Sequence, residues 1–226
     1  MSSSAISWFG GPSPRDGGDD LPRVRRLRIV EDDAGANRAT GGDAEGRALL
    51  DALAGGDTGA FRRLYDTYAA TLWEFTAYLL RDADAARDVV QDVFASLWER
   101  RETLDVRDSL RAYLYRAVRN HVSKRRRHAV VVRRMEDGAR TLDAPRPTAA
   151  PDPTEQLDAD ALERAVDAVI LEMPESRRMA ATLRLRHGLT DAEAAAVMGL
   201  SVDAVRMHVS RARAALRPLV ARFRDA

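Results

Sequence analysis

Apolar positions recur at helical spacing from Gly46 onward. Phe61, Leu64, Tyr65, Tyr68, Leu72 and Phe75 stand at i, i+3, i+4, i+7, i+11 and i+14, which predicts one core-facing stripe of a helix. Val89, Val90, Val93, Phe94, Leu97 and Trp98 form a second stripe, and Leu110, Tyr113, Leu114, Ala117 and Val118 a third. Three amphipathic helices of this kind make a small bundle. Farther along, Leu162, Val166, Val169, Ile170 and Met173 mark another helix, interrupted at Pro174, where an interior proline would remove a hydrogen bond and clash with the preceding turn. The next helix is expected from about Glu175 to His187, with Gly188 closing it in the left-handed conformation. Thr190-Asp191-Ala192-Glu193 has the spacing of a capping box and opens a further helix that ends at Gly199. Ser201 caps the last one, whose apolar face is Val205, Val209, Ala212 and Leu216. No segment reads as a strand pair.

The pattern therefore predicts an all-α chain of two small helical domains, a count that 226 residues can accommodate. Residues 1–45 are rich in Gly, Ser, Pro and Asp without an apolar period and read as a disordered extension, in which Leu21–Val30 fits a short strand or docking peptide and equally a segment of no structural meaning. A helical domain is expected over 46–133. Residues 134–158, with Pro145, Pro147, Pro151 and Pro153, have the composition of a flexible proline-rich linker, and a second domain follows at 159–224.

Composition removes several chemistries. With no cysteine there is neither a disulfide framework nor a thiolate metal site, and the histidines at 121, 128, 187 and 208 are scattered rather than paired at ligand spacing. Gly55-Gly56-Asp57-Thr58-Gly59 lacks the lysine of a phosphate-binding loop, so no cofactor and no enzymatic turnover are expected. The N-terminus lacks the basic start and apolar stretch of a secretion signal, and no run is long enough to span a bilayer. The expectation is a soluble cytoplasmic protein without membrane insertion.

A formal net charge of +1 conceals a strong segregation. Asp82 to Asp105 holds seven acids against three arginines, whereas Arg111 to Arg134 holds nine Lys/Arg and no acid; Ala204 to Arg224 has six arginines and again no acid. Separate faces for separate partners follow, nucleic acid for the basic pair and a protein for the acidic one. The sharpest local plan is the helix pair Asp191–Met198 and Val202 to about Leu219, joined through Gly199-Leu200-Ser201: a helix-turn-helix in which Ala194, Ala195 and Ala196 allow close approach and Leu200 and Val205 plug the angle. Its second helix carries Arg206, His208, Ser210, Arg211 and Arg213 off the apolar stripe, as a helix entering a major groove would; His208 fits a DNA contact or a plain surface position equally. In the helix from Leu110, Tyr113 and Tyr115 precede Arg116, Arg119, Asn120, Lys124, Arg125, Arg126 and Arg127. Aromatics among basic residues suit single-stranded nucleic acid, and the same tyrosines also fit a core.

With these segments in view, residues 46 to 222 resemble sigma factors of the extracytoplasmic-function type. The stretch Asp84 to Trp98 is similar to that family's acidic polymerase-docking helix. The resemblance implies that Asp84, Asp88, Gln91, Asp92, Phe94 and Trp98 meet a coiled coil on the largest subunit of RNA polymerase core, although Val93, Leu97 and Trp98 also fit a core. Leu110 to Asn120 resembles the promoter-opening region, with Tyr113 where tryptophan is common; Ser123-Lys124 replaces an acid often found beyond Asn120. This implies downstream-element contacts from Tyr113, Arg116, Arg119, Asn120, Lys124, Arg125, Arg126 and Arg127. Met173-Pro174 resembles the entry to the second domain, and Ala204 to Ala212 the recognition helix, with Ala204 where Ser or Thr is usual. Upstream-element contacts are then implied for Ser201, Val202, Ala204, Arg206, His208 and Arg211. The implied partners are RNA polymerase core, promoter DNA as duplex and as single strand, and an anti-sigma factor. A stand-alone helix-turn-helix regulator is the alternative, against which stand the acidic segment and the lack of an evident dimerisation or ligand domain.

Overall fold

The computed structural model describes residues 36–106, 109–136 and 159–224. Helices α1 (Ala36–Ala54), α2 (Thr58–Leu80), α3 (Ala83–Glu99) and α4 (Leu110–Glu136) make a first bundle; α5 (Ala159–Glu172), α6 (Glu175–Ala181), α7 (Asp191–Met198) and α8 (Val202–Arg224) make a second. No strand occurs among the described residues. The Leu21–Val30 segment and the proline-bearing stretch 137–158 lie outside them.

Several helix starts have a side-chain acceptor for the free amides of the first turn, whereas α6 opens at Pro174 without one. Asp57 accepts from Gly59 and Ala60 at 2.7 and 3.2 Å to open α2, and Asp82 accepts from Ala85 at 3.0 Å to open α3. Leu64, Leu72, Phe75, Val89, Val93, Phe94, Leu97, Leu114 and Val118 fill the first core. Two boundaries differ from the expectation. Helix begins at Ala36 rather than near 46, because the turn anchored by buried Leu53 propagates its hydrogen-bond ladder into a stretch with no apolar period to announce it. At the other end, α4 continues to Glu136, three residues into the expected linker.

In the second bundle Pro174 separates α5 from α6 as its ring requires. Beyond α6 the backbone widens into a π-helical turn, Thr182–Arg186, in which the His187 amide donates to the Thr182 carbonyl at 3.0 Å. Gly188 (φ +63°) and Gly199 (φ +67°) then reverse the chain in the left-handed region that favours glycine. Between them the capping box forms in both directions, Glu193 N to Thr190 Oγ1 at 3.1 Å and Thr190 N to Glu193 Oε2 at 2.7 Å. Val205, Val209, Ala212 and Leu216 are all buried. Leu200 is not: it is 40 % exposed, and Val205 alone fills the helix-turn-helix angle, since the left-handed turn at Gly199 carries Leu200 outward.

The two bundles pack on each other, α7 lying along α4. Ser109 Oγ donates to Glu193 Oε1 at 2.6 Å, so the capping glutamate of the helix-turn-helix also ties it to the first bundle. The His187 ring sits edge-on to Phe75 and Tyr115, centroids 5.5 and 5.4 Å away. A linker of suitable composition thus joins domains that share an interface in this structure.

Truncating Phe94, which is fully buried against Phe61 and Tyr65, should cost about 3–5 kcal/mol. Gln91→Ala, one turn away on the exposed face, should stay within about 0.5 kcal/mol of the parent. Urea unfolding of both variants checks the contrast.

Candidate protein and nucleic-acid interfaces

Helix α3 is divided cleanly. Ala86, Val89, Val90, Val93, Phe94 and Leu97 are buried, while Asp84, Asp88, Gln91 and Asp92, at i, i+4, i+7 and i+8, form one exposed stripe. Phe94 is therefore a support beneath that stripe and offers no surface, which corrects the contact role expected for it: its ring is edge-on to Phe61 at 6.2 Å and tilted against Tyr65 at 4.8 Å. Trp98 is half-buried, edge-on to Phe61 at 5.2 Å with the Arg101 guanidinium 4.7 Å over its ring. Of the acids, Asp84 pairs with Arg87 at 3.2 Å and Asp88 with Arg125 of α4 at 3.8 Å. These groups are half or more exposed, and such pairs are worth about 0–1 kcal/mol, so they leave the carboxylates available to a stronger partner.

The basic residues of α4 fall into two sets. Arg111, Arg119 and Arg126 lie within about 80° of one another around the helix. Arg111 donates to the carbonyls of His187 and Gly188, the latter at 3.2 Å; Arg119 donates to Val197 in the last turn of α7; Arg126 donates to Leu79 in the last turn of α2. Carbonyls at a helix end lack intrahelical donors and carry the negative end of the dipole, which makes guanidinium their fitting partner. Arg119 and Arg126, expected among the nucleic-acid contacts, are thus bonded to protein backbone here. Tyr113, Arg116, Asn120, Lys124 and Arg127, at i, i+3, i+7, i+11 and i+14, make a different stripe. Asn120, Lys124 and Arg127 are exposed, and Tyr113 and Arg116 partly so. Burial raises the Tyr113 phenol pKa. Tyr115 belongs to neither set: at 1 % exposure, packed on Phe75 at 5.0 Å, it is core.

On α8, Arg206 and Arg211 are exposed and His208 is partly buried. Ser201 is exposed, but its hydroxyl accepts from the Ala204 amide at 3.2 Å as the helix cap. Val202 and Ala204 are half-buried. Sequence reasoning passed over Met207, exposed at 43 % between Arg206 and His208, and Asp191, whose carboxylate meets two arginines. Neither carries a pattern signal: one exposed methionine breaks no periodicity, and an acid in a first turn looks like ordinary dipole compensation.

Two family models match this chain, sigma-70 region 2 over residues 64–130 and sigma-70 region 4 over residues 163–216. ECF RNA polymerase sigma factor SigC of Mycobacterium tuberculosis is 31 % identical over 185 residues, which span 79 % of this chain and 93 % of SigC. The chain belongs to the ECF RNA polymerase sigma factors. The sigma factor is also similar to SigL of the same species, 35 % identical over 83 residues, 36 % of the chain; it spans about half the length of SigL, 47 %. In fold it is similar to CnrH, solved in complex with the cytosolic domain of CnrY, at a TM-score of 0.55 and 26 % identity over 78 % of this chain and 97 % of that one. The region 2 match takes in α3 and the basic part of α4, and the region 4 match takes in α7 and the arginines of α8 up to Arg213. Helix α1 lies before both. No helix of the described residues is long and apolar enough to cross a membrane.

Burial pushes the Tyr115 phenol from 10.0 up to about 12. Below about pH 10 both folded and unfolded chains keep that proton, and stability is insensitive to it. Between about pH 10 and about 12 the unfolded chain ionises first, so stability should fall as pH rises. Tyr115→Phe should flatten part of the decline, with Tyr78, also raised by burial, responsible for part of what remains. Urea midpoints collected across that range test the sign.

Proposed function

We propose that this chain binds RNA polymerase core and directs it to promoters, supplying binding energy while the polymerase performs the chemistry. Core docks on the exposed stripe of α3, chiefly Asp84, Asp88, Gln91 and Asp92. Helix α8 reads an upstream duplex element through Arg206, His208 and Arg211. The stripe from Tyr113 to Arg127 on α4 engages the downstream element as it melts, bases stacking on the ring and phosphates meeting the basic groups. The observation that carries the reading is the exposed acidic stripe on α3, set over a fully apolar buried face and bordering the basic side of α4 where Asp88 meets Arg125 at 3.8 Å. An isolated helix-turn-helix regulator needs no such stripe, nor a region 2 match.

The reading extends to location and partners. The site of action is the cytoplasm, where polymerase and DNA are. The solved complex of CnrH with the cytosolic domain of CnrY supports a protein partner for this sigma factor as well, and we read that partner as an anti-sigma factor. Region 2 is assigned to 46–133 and region 4 to 159–224, with helix of the first bundle running beyond the former at both ends, to Ala36 and to Glu136, into the assigned extension and linker. For about four phosphate contacts from α8, log affinity should fall with log salt at a slope of about −3.6, so DNA binding by the free chain is weak at physiological salt.

Reversing Asp88 and Asp92 to arginine should reduce association with core polymerase by at least about tenfold and abolish promoter-specific run-off transcripts. Both positions are exposed and Asp88 gives up only its exposed pair with Arg125, so the fold should stay within about 1 kcal/mol of the parent. Undiminished co-elution of the reversed variant with core would sink the assignment.

A further inference from the structure

One carboxylate in the helix-turn-helix has more attachments than a helix start requires. Asp191 opens α7 and is 24 % exposed. Its Oδ1 lies 2.5 Å from Arg184 Nε, and its Oδ2 lies 3.2 Å from Arg206 Nε. Arg184 is itself anchored: it donates to the Leu189 carbonyl and is 20 % exposed. Arg184 thus holds the Asp191 carboxylate by charge, without a hydrogen bond from Nε, while Oδ2 of the same carboxylate meets Arg206. Arg206, in contrast, is 64 % exposed, and its other contact, Nη1 to Asp203 at 3.4 Å, is with a carboxylate 91 % exposed, a pair that water and salt readily loosen.

We propose that Asp191 is a positioning residue for promoter recognition: held by Arg184, it fixes Arg206 by the Nε edge and aims the guanidinium at a base. The proposal rests on the reading of α8 as the helix that enters the groove. Two physical effects follow. A free arginine gives up rotamer freedom on binding, whereas a tethered one has already lost part of it, and its Nη groups remain as donors for a base edge such as the O6 and N7 acceptors of guanine. A carboxylate beside the guanidinium also offsets its charge, which weakens its pull toward backbone phosphate. Asp191 thus shifts Arg206 from sequence-blind contact toward sequence-specific contact, from a helix that itself need not touch the base.

The test uses holoenzyme reconstituted with core polymerase, transcribing a promoter library randomised through the upstream element. Preference is a ratio between templates in one preparation, so the amount of folded protein cancels. Arg206→Ala should erase preference at one or two adjacent positions. Asp191→Asn should lower preference about fivefold at those same positions and nowhere else, while steepening the salt dependence by about one phosphate contact. Arg184→Gln, which frees Asp191 from behind, should blur the same positions. In an Arg206→Ala background, Asp191→Asn should change nothing further. If Asp191→Asn leaves the preference intact, or if its effect persists undiminished without Arg206, the positioning role is wrong. If Arg206→Ala itself leaves every position unchanged, the reading of α8 fails and this inference falls with it.

Discussion

Helix α4 meets the last turns of its neighbours with positive charge. A helix ends in carbonyls with no donor of their own, and α4 runs past several such ends. Arg111, Arg119 and Arg126 donate to the ends of the π-helical turn, α7 and α2. Charged hydrogen bonds net about 1.5–3 kcal/mol when shielded from water, and the bonds from Arg111 to His187 and from Arg119 to Val197 are part-buried, whereas that of Arg126 is exposed and worth less. The orientation of region 4 on region 2 depends on two of the three, reinforced by the Ser109–Glu193 bond and the His187 ring between Phe75 and Tyr115.

That constraint sorts the rest of α4. Once one set of arginines is turned toward helix ends, Tyr113, Arg116, Asn120, Lys124 and Arg127 make up a different face, and Arg125 is left beside Asp88. Charge on this helix is thus divided in a way that composition lumps together: one set of arginines holds protein, and the other face is the one we propose for nucleic acid. On α3 the division is between polar and apolar. Its exposed stripe is straight because the opposite side, Val89, Val93, Phe94 and Leu97, is pressed into the core.

Region 4 applies the same economy of groups. Glu193 caps α7 and also receives Ser109, and Asp191 starts α7 and also receives Arg184 and Arg206. A first turn that looks like ordinary capping chemistry is therefore joined to the first bundle by one acid and to α8 by the other.

Periodicity and punctuation were enough for the local structure. The stripes on α2, α3 and α8, the break at Pro174, the left-handed closure at Gly188, the helix end at Gly199 and the capping box at Thr190 depend on contacts within a few residues, and sequence displays those directly. The start of α1 at Ala36 was not legible, because a helix extended from an anchored turn needs no apolar period of its own. Nor was the fate of individual side chains: Phe94 as a support, Tyr115 as core, Leu200 outside the angle, Arg119 and Arg126 on carbonyls. Those outcomes depend on which groups from distant parts of the chain arrive beside them, as when Arg119 meets Val197 or Asp191 meets Arg206. Residue type and spacing fix which face a side chain occupies on its own helix; what it touches is decided by the packing of that helix against others.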